Sequence, residues 1–224
     1  MTNNDLMNDS TTNRPTLASD TSLRDKTGTN QAYGDERHSL QAYVSDLLAL
    51  EQHIGQPLQA QLDSDDMAAF PEARSIVQQM QQQNKAHTAA LQKCLDGLGG
   101  NAASPLKSAW ASLLGGAASA IGGSRKTKVT KWLRDDYTAL SLANISYTLL
   151  HATAVGLGNE SVASIGRQGL TDYSRCVMAI NQVLPNVVLA ELRNDGENVA
   201  TGAAETIRQQ TNAIWKSQAA VTTN

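Results

Sequence analysis

Four stretches of this chain, each about 25 residues long, place apolar residues three and four positions apart, the spacing of one helix face. The first, 36–61, carries Leu40, Tyr43, Val44, Leu47, Leu48, Ile54 and Leu58, with Leu62 just beyond. Gly55 and Pro57 fall late in it and predict a kink or an early stop. The second, 71–98, follows Ser64 and Asp65, which can cap a short turn, and opens on Pro71, a residue suited to the first helical turn. Its stripe is Val77, Met80, Asn84, His87, Leu91, Cys94 and Leu98, and Gly99-Gly100 end it. The third, 129–157, carries Val129, Trp132, Leu133, Asp136, Leu140, Ala143, Tyr147, Leu150 and Ala154. The fourth, 161–184, carries Ile165, Gly169, Asp172, Cys176, Ile180 and Val183, and Pro185 is expected to end it.

Short breaks join the first stretch to the second and the third to the fourth, which makes each pair an antiparallel hairpin. Residues 99–127 between the hairpins contain Gly115, Gly116, Gly122 and Gly123, then Arg125, Lys126 and Lys128, and are expected to form one long crossover. The expectation is an all-α chain: a four-helix bundle over 37–190, with two flanking tails. Residues 1–36 are rich in Asn, Thr, Ser and Asp and bury too little to offset their ordering entropy, so a disordered arm is expected. Residues 191–224 form a polar tail with a short helix expected at 200–215. Aromatic residues make up 4% of the 224, so the core must be mostly Leu, Ile, Val, Ala and Met.

The informative residues are polar ones on apolar stripes. Glu51 lies four residues after Leu47 and three before Ile54 and therefore faces inward. Asn84 and His87 share the stripe of Met80 and Leu91, Asp172 lies between Gly169 and Cys176, and Asp136 and Tyr147 sit on the third stripe. A buried charge costs several kcal/mol unless it is paired or bound to a cation. A two-metal centre is one explanation for acids and an imidazole that share a core. Local pairing is the other: His87 with Glu51 or a carbonyl, Asp136 with Lys131 or Arg134, Asp172 with Arg175 or Arg167.

At these positions the chain resembles the YciE-like, stress-associated branch of the ferritin-like superfamily. Asp46-Leu47-Leu48-Ala49-Leu50-Glu51-Gln52 is similar to that branch's leucine-rich opening with its metal-binding glutamate, and 82–91, Gln-Gln-Asn-Lys-Ala-His-Thr-Ala-Ala-Leu, to its Glu-x-x-His helix. The resemblance implies a ferritin-like bundle with one long crossover and metal ligands at Glu51, His87 and Asp172. It also implies departures. Asn84 stands where a glutamate belongs and Arg175 where a second ligand belongs; with Tyr147 set on the family's tyrosine, a carboxylate position falls on Leu140. A neutral amide and a guanidinium disfavour two divalent ions. Arg175 is expected instead to neutralise Glu51 or Asp172.

The expected function is therefore a non-catalytic, stress-associated structural or interaction protein, with no metal or with one to two iron or manganese ions, and with a homodimer implied by the resemblance. The alternatives are an iron- or manganese-dependent oxidase or peroxide-removing enzyme, and an adaptor that binds protein partners through its tails and basic crossover. A net charge of −3 and a basic cluster without interleaved aromatics beyond Trp132 argue against nucleic acid. No apolar run follows Met1 and no stretch of about 18 apolar residues occurs. The sequence thus predicts no signal peptide, no membrane span and a cytoplasmic location. Cys94 and Cys176 lack CxxC spacing and are expected to be reduced core thiols. No P-loop, GxGxxG or GxSxG motif is present.

Overall fold

The computed structural model describes residues 28–100 and 129–221, with side chains from 37 to 217. The crossover at 101–128, its basic cluster and most of the expected N-terminal arm lie outside the described residues. Among those described, every regular element is a helix. They are α1 (Gly28–Leu62), the single turn α2 (Asp65–Ala68), α3 (Pro71–Gly97), α4 (Val129–Gly156), α5 (Glu160–Asn194) and α6 (Ala203–Val221). None is long and apolar enough to cross a membrane.

Each of the four long helices packs on two others: α1 on α3 and α4, and α5 on α3 and α4. Side-chain contacts fix the directions. Gln41 reaches the carbonyl of Leu98, and Arg74 reaches that of Leu62, so α1 and α3 are antiparallel. His151 bonds the Ala163 carbonyl, while Glu191 bonds the backbone of Val129, so α4 and α5 are antiparallel too. Most residues of the predicted stripes line the shared interior; Tyr43 of α1 is instead exposed, and Cys94, Leu98, Trp132, Ile165 and Asp172 are half-buried. On α4, Val129, Leu133, Asp136, Leu140, Ala143, Tyr147, Leu150 and Ala154 are all buried. Burying a leucine fully contributes roughly 1.5–3 kcal/mol, so these rows dominate the stabilisation.

α1, α5 and α6 differ from expectation in their bounds. α1 begins at Gly28 rather than near 36: once Leu40 and Val44 are buried, adding a residue to an existing helix fixes only that residue's dihedrals. α1 also runs through Gly55 and Pro57 without stopping.

α5 continues through Pro185 to Asn194, ten residues past the expected end. A mid-helix proline removes one hydrogen bond and costs about 3 kcal/mol. The continuation brings Val187 and Leu189 into the core. It also places Glu191 Oε1 at 3.0 Å from the Val129 N–H and 3.3 Å from that of Thr130. These are unpaired donors at the start of α4, where a carboxylate is favoured by the helix dipole. α5 ends at Asn194 with Asp195 as its cap, and Gly196 follows with a φ of 87°, the left-handed turn that suits a glycine there.

The C-terminal helix α6 is shifted from the expected 200–215: it begins at Ala203 and runs to Val221. It packs on α5, where Gln182 donates to Asn212 at 2.6 Å.

Candidate functional site

Glu51 is fully buried, on the inner face of α1 where the stripe placed it. Its carboxylate is the centre of a cluster drawn from all four long helices. Tyr147 of α4 donates its hydroxyl to Oε1 at 2.5 Å, and His87 Nδ1 of α3 lies 3.2 Å from the same oxygen. Asn84 of α3 donates Nδ2 to Oε2 at 2.6 Å and to the Glu51 carbonyl at 2.7 Å. Tyr173 of α5 donates its hydroxyl to Oε2. A carboxylate has about four acceptor positions, and here each oxygen faces two donors.

His87 passes the network outward. Its Nε2 lies 3.1 Å from Asp172 Oδ2, which also accepts Gln168 Nε2 at 2.8 Å. Asp172 is the solvent edge of the cluster, its side chain 14% exposed. Burial works to lower the His87 pKa, but the hydrogen bonds and charges of Glu51 and then Asp172 outweigh it, and the net direction is up. The cation suits the geometry: an imidazolium donates from both nitrogens, whereas the neutral ring donates from one. Burial, with the Glu51 charge added, raises both tyrosines well above the usual phenol range, so they remain donors. The three rings meet edge to face, with centroids 4.8–6.0 Å apart.

Two glycines make this possible. A Cβ on Gly169 would overlap the Tyr147 ring, and one on Gly55 would overlap the Asn84 amide. Both side chains cross the space that any larger residue would fill before they reach Glu51.

Of the residues singled out in the sequence, Glu51, His87, Asp172, Asn84 and Tyr147 converge. Asp136 does not. It is buried on α4 eleven residues before Tyr147, roughly 16 Å along the helix, and accepts Gln61 Nε2 of α1 at 3.0 Å. The expected pairing with Arg134 is not made, because Arg134 bonds Asp135 at 2.7 Å. Arg175 corrects a second expectation. It is exposed and neutralises neither acid, because it lies two residues past the buried Tyr173 and so on the far side of α5. Leu140 is core.

Tyr173 was not anticipated. Its signal was its spacing, four after Gly169 and three before Cys176, on a stripe that continues through Val177 and Ile180. Gln61, Gln168 and Gly55 were missed as well. Cys94 and Cys176 are free thiols. Burial, then the charge of Asp172, pushes Cys176 up to about 11, so it stays protonated.

The donor set does not fit the metal centre that the sequence resemblance implies. The imidazole separates the two acids, Glu51 at Nδ1 and Asp172 at Nε2, so neither nitrogen faces a converging pair of carboxylates. Among the described residues, no three His, Cys, Asp or Glu side chains are grouped to hold an ion. Around Glu51, the places of further ligands are taken by an amide N–H and two phenol O–H groups that donate to it.

No protein-family model matches the chain, and no curated protein matches it. A crystal structure of a protein from Xanthomonas campestris pv. campestris is similar in fold, with a TM-score of 0.60 at 20% identity. The match covers 73% of this chain and 99% of that one. At that identity the likeness concerns the fold alone.

Proposed function

We propose that the chain is a ferritin-like four-helix bundle, akin to the YciE-like stress-associated branch, in which hydrogen bonds have taken over the inherited metal pocket. On this reading it acts without catalysis, as a structural or interaction protein. The observation that carries the proposal is the satisfaction of Glu51 by four donors from three other helices. Bound cations would ordinarily balance such an acid; here an imidazole, an amide and two phenols hold it, and nothing in that arrangement requires an ion. The mutual packing of α1, α3, α4 and α5 supports the bundle.

An interaction role is favoured by α6. Its contact with α5 uses Asn212, whereas Ile207, Ile214 and Trp215 are 38%, 58% and 42% exposed.

The test is metal binding to the full chain, purified without chelators. Titration with iron(II) or manganese(II) is expected to give no stoichiometric uptake and no shift in the thermal midpoint. A ligand at 100 times its Kd would stabilise the fold by about 2.7 kcal/mol, which a melt detects easily. One or two ions per chain, with oxygen or peroxide consumption abolished by Glu51→Ala, would replace this reading with the metal-dependent enzyme.

A further inference from the structure

The second buried acid offers more than a packing curiosity. Gln61 Nε2 donates to Asp136 Oδ1 at 3.0 Å, and both residues are buried. The remaining atoms of the pair, Gln61 Oε1 and Asp136 Oδ2, are buried too, and neither has a partner among the described residues. Both are acceptors as long as Asp136 is ionised. A single proton on Oδ2 turns one of them into a donor.

We propose that Asp136 carries a proton in the folded protein and closes a cyclic acid–amide pair with Gln61, making a proton-dependent latch between α1 and α4. In the closed pair the amide N–H donates to Oδ1 and the carboxyl O–H donates to Oε1, which satisfies both orphaned acceptors at once. The proton comes from solvent, and no other bond is made or broken.

The surroundings suit a neutral acid. On the facing part of α5, residues 177–190 include no titratable side chain. On α1, the nearest titratable group before Gln61 is His53, roughly 12 Å up the helix, and Asp63, just past its end, is exposed and bonded to Gln59. Asp65 and Asp66 of α2 are exposed. At the start of α3, Glu72 is exposed and Arg74 donates to the Leu62 carbonyl. On α4 itself, Asp135 adds negative charge beside Asp136 and is bonded to Arg134, and Lys131 lies one turn earlier. Burial pushes the Asp136 carboxyl up to about 7; the Gln61 hydrogen bond pulls it down and the Asp135 charge adds to the rise. Below that point the latch is closed. Above it, a carboxylate with one donor is left in the interior, and the α1–α4 contact weakens.

Carbon-13 NMR titration of the intact chain tests this without any substitution, and Asp136→Asn, a shape mimic, assigns the Asp136 signal. The Asp136 Cγ shift is expected to titrate with a midpoint of about 7 instead of 3.8, and the Gln61 Cδ shift to move with the same midpoint. In Asp136→Asn both transitions vanish. A Cγ midpoint in the ordinary carboxylate range would overturn the proposal, since the acid would then be ionised and bridged by water or a cation. A raised midpoint with a stationary Gln61 signal would overturn it as well, because the proton would be present without the pair.

Discussion

Two of the buried acids, Glu51 and Asp136, are treated by their neighbours in opposite ways. Glu51 is met by donors from α3, α4 and α5, two at each oxygen. Asp136, roughly 16 Å away along α4, is met by one donor at one oxygen. Low dielectric strengthens a completed network and penalises an incomplete one. Glu51 is accommodated in the core because the fold brings its carboxylate a full set of donors. Asp136 has no such set, and the least costly way to bury it is to neutralise it.

The largest effect should come from breaking the completed network. Glu51→Leu leaves the two phenols, the Asn84 amide and the His87 cation without their acceptor in the core. Removing one side of a buried charged pair costs about 3–5 kcal/mol, and urea unfolding should show a loss of that size. A loss below about 1 kcal/mol would mean that water reaches the cluster and that the contrast between the two acids is false.

Next in size is the pH dependence that Asp136 contributes. Its pKa is higher folded than unfolded, so between about 4 and 7 the folded state binds more protons than the unfolded state. Stability from this group is thus fully present below about 4 and is lost as pH rises to about 7, a change of up to roughly 4 kcal/mol. His87 acts with the same sign in a later window. Its pKa is also raised, so its contribution is full below 6.5 and declines as pH passes through the higher folded value. Unfolding curves for the native chain and Asp136→Asn between pH 4 and 9 separate the two. The difference between the proteins should grow up to about pH 7 and then level off. A constant difference would show that Asp136 titrates alike in both states.

Gly169→Ala tests how tightly the network is seated. The added Cβ overlaps the Tyr147 ring, and overpacking of this kind costs about 1–3 kcal/mol. Near-ultraviolet circular dichroism should report the displaced tyrosine. An unchanged spectrum and an unchanged unfolding midpoint would show that the ring has room to move.

Much of this was legible in local spacing. The stripe of α4 was read correctly from Val129 to Ala154, and Glu51, Asn84 and His87 fell on the buried faces assigned to them. Spacing failed where the answer depended on a neighbouring helix. Pro185 is a stop signal in isolation, but α5 passes through it because Val187 and Leu189 have a core to enter and Glu191 has the start of α4 to cap. The Gln61–Asp136 pair joins residues 75 apart in the chain, and nothing in either segment names the other. Tyr173 was a different failure. The stripe assigned to α5 held four buried residues, Gly169, Cys176, Ile180 and Val183, but between the first two it took Asp172 instead of Tyr173, a rotation of one residue, about 100°, at that turn.

That rotation leads to the smallest predicted effect. The sequence resemblance placed Arg175 at a ligand position, which requires its guanidinium among the acids. In the structure it is exposed, roughly 200° around α5 from Tyr173. Arg175→Ala should therefore change stability by no more than about 0.5 kcal/mol, as exposed substitutions usually do. Tyr173→Phe, which removes a donor from Glu51, should cost about 1–3 kcal/mol. Equal effects, or a larger one at Arg175, would mean that α5 is rotated so that the arginine neutralises the buried acids. Asp172 would then lie nearer the centre of the cluster, and the case against a metal pocket would have to be made again.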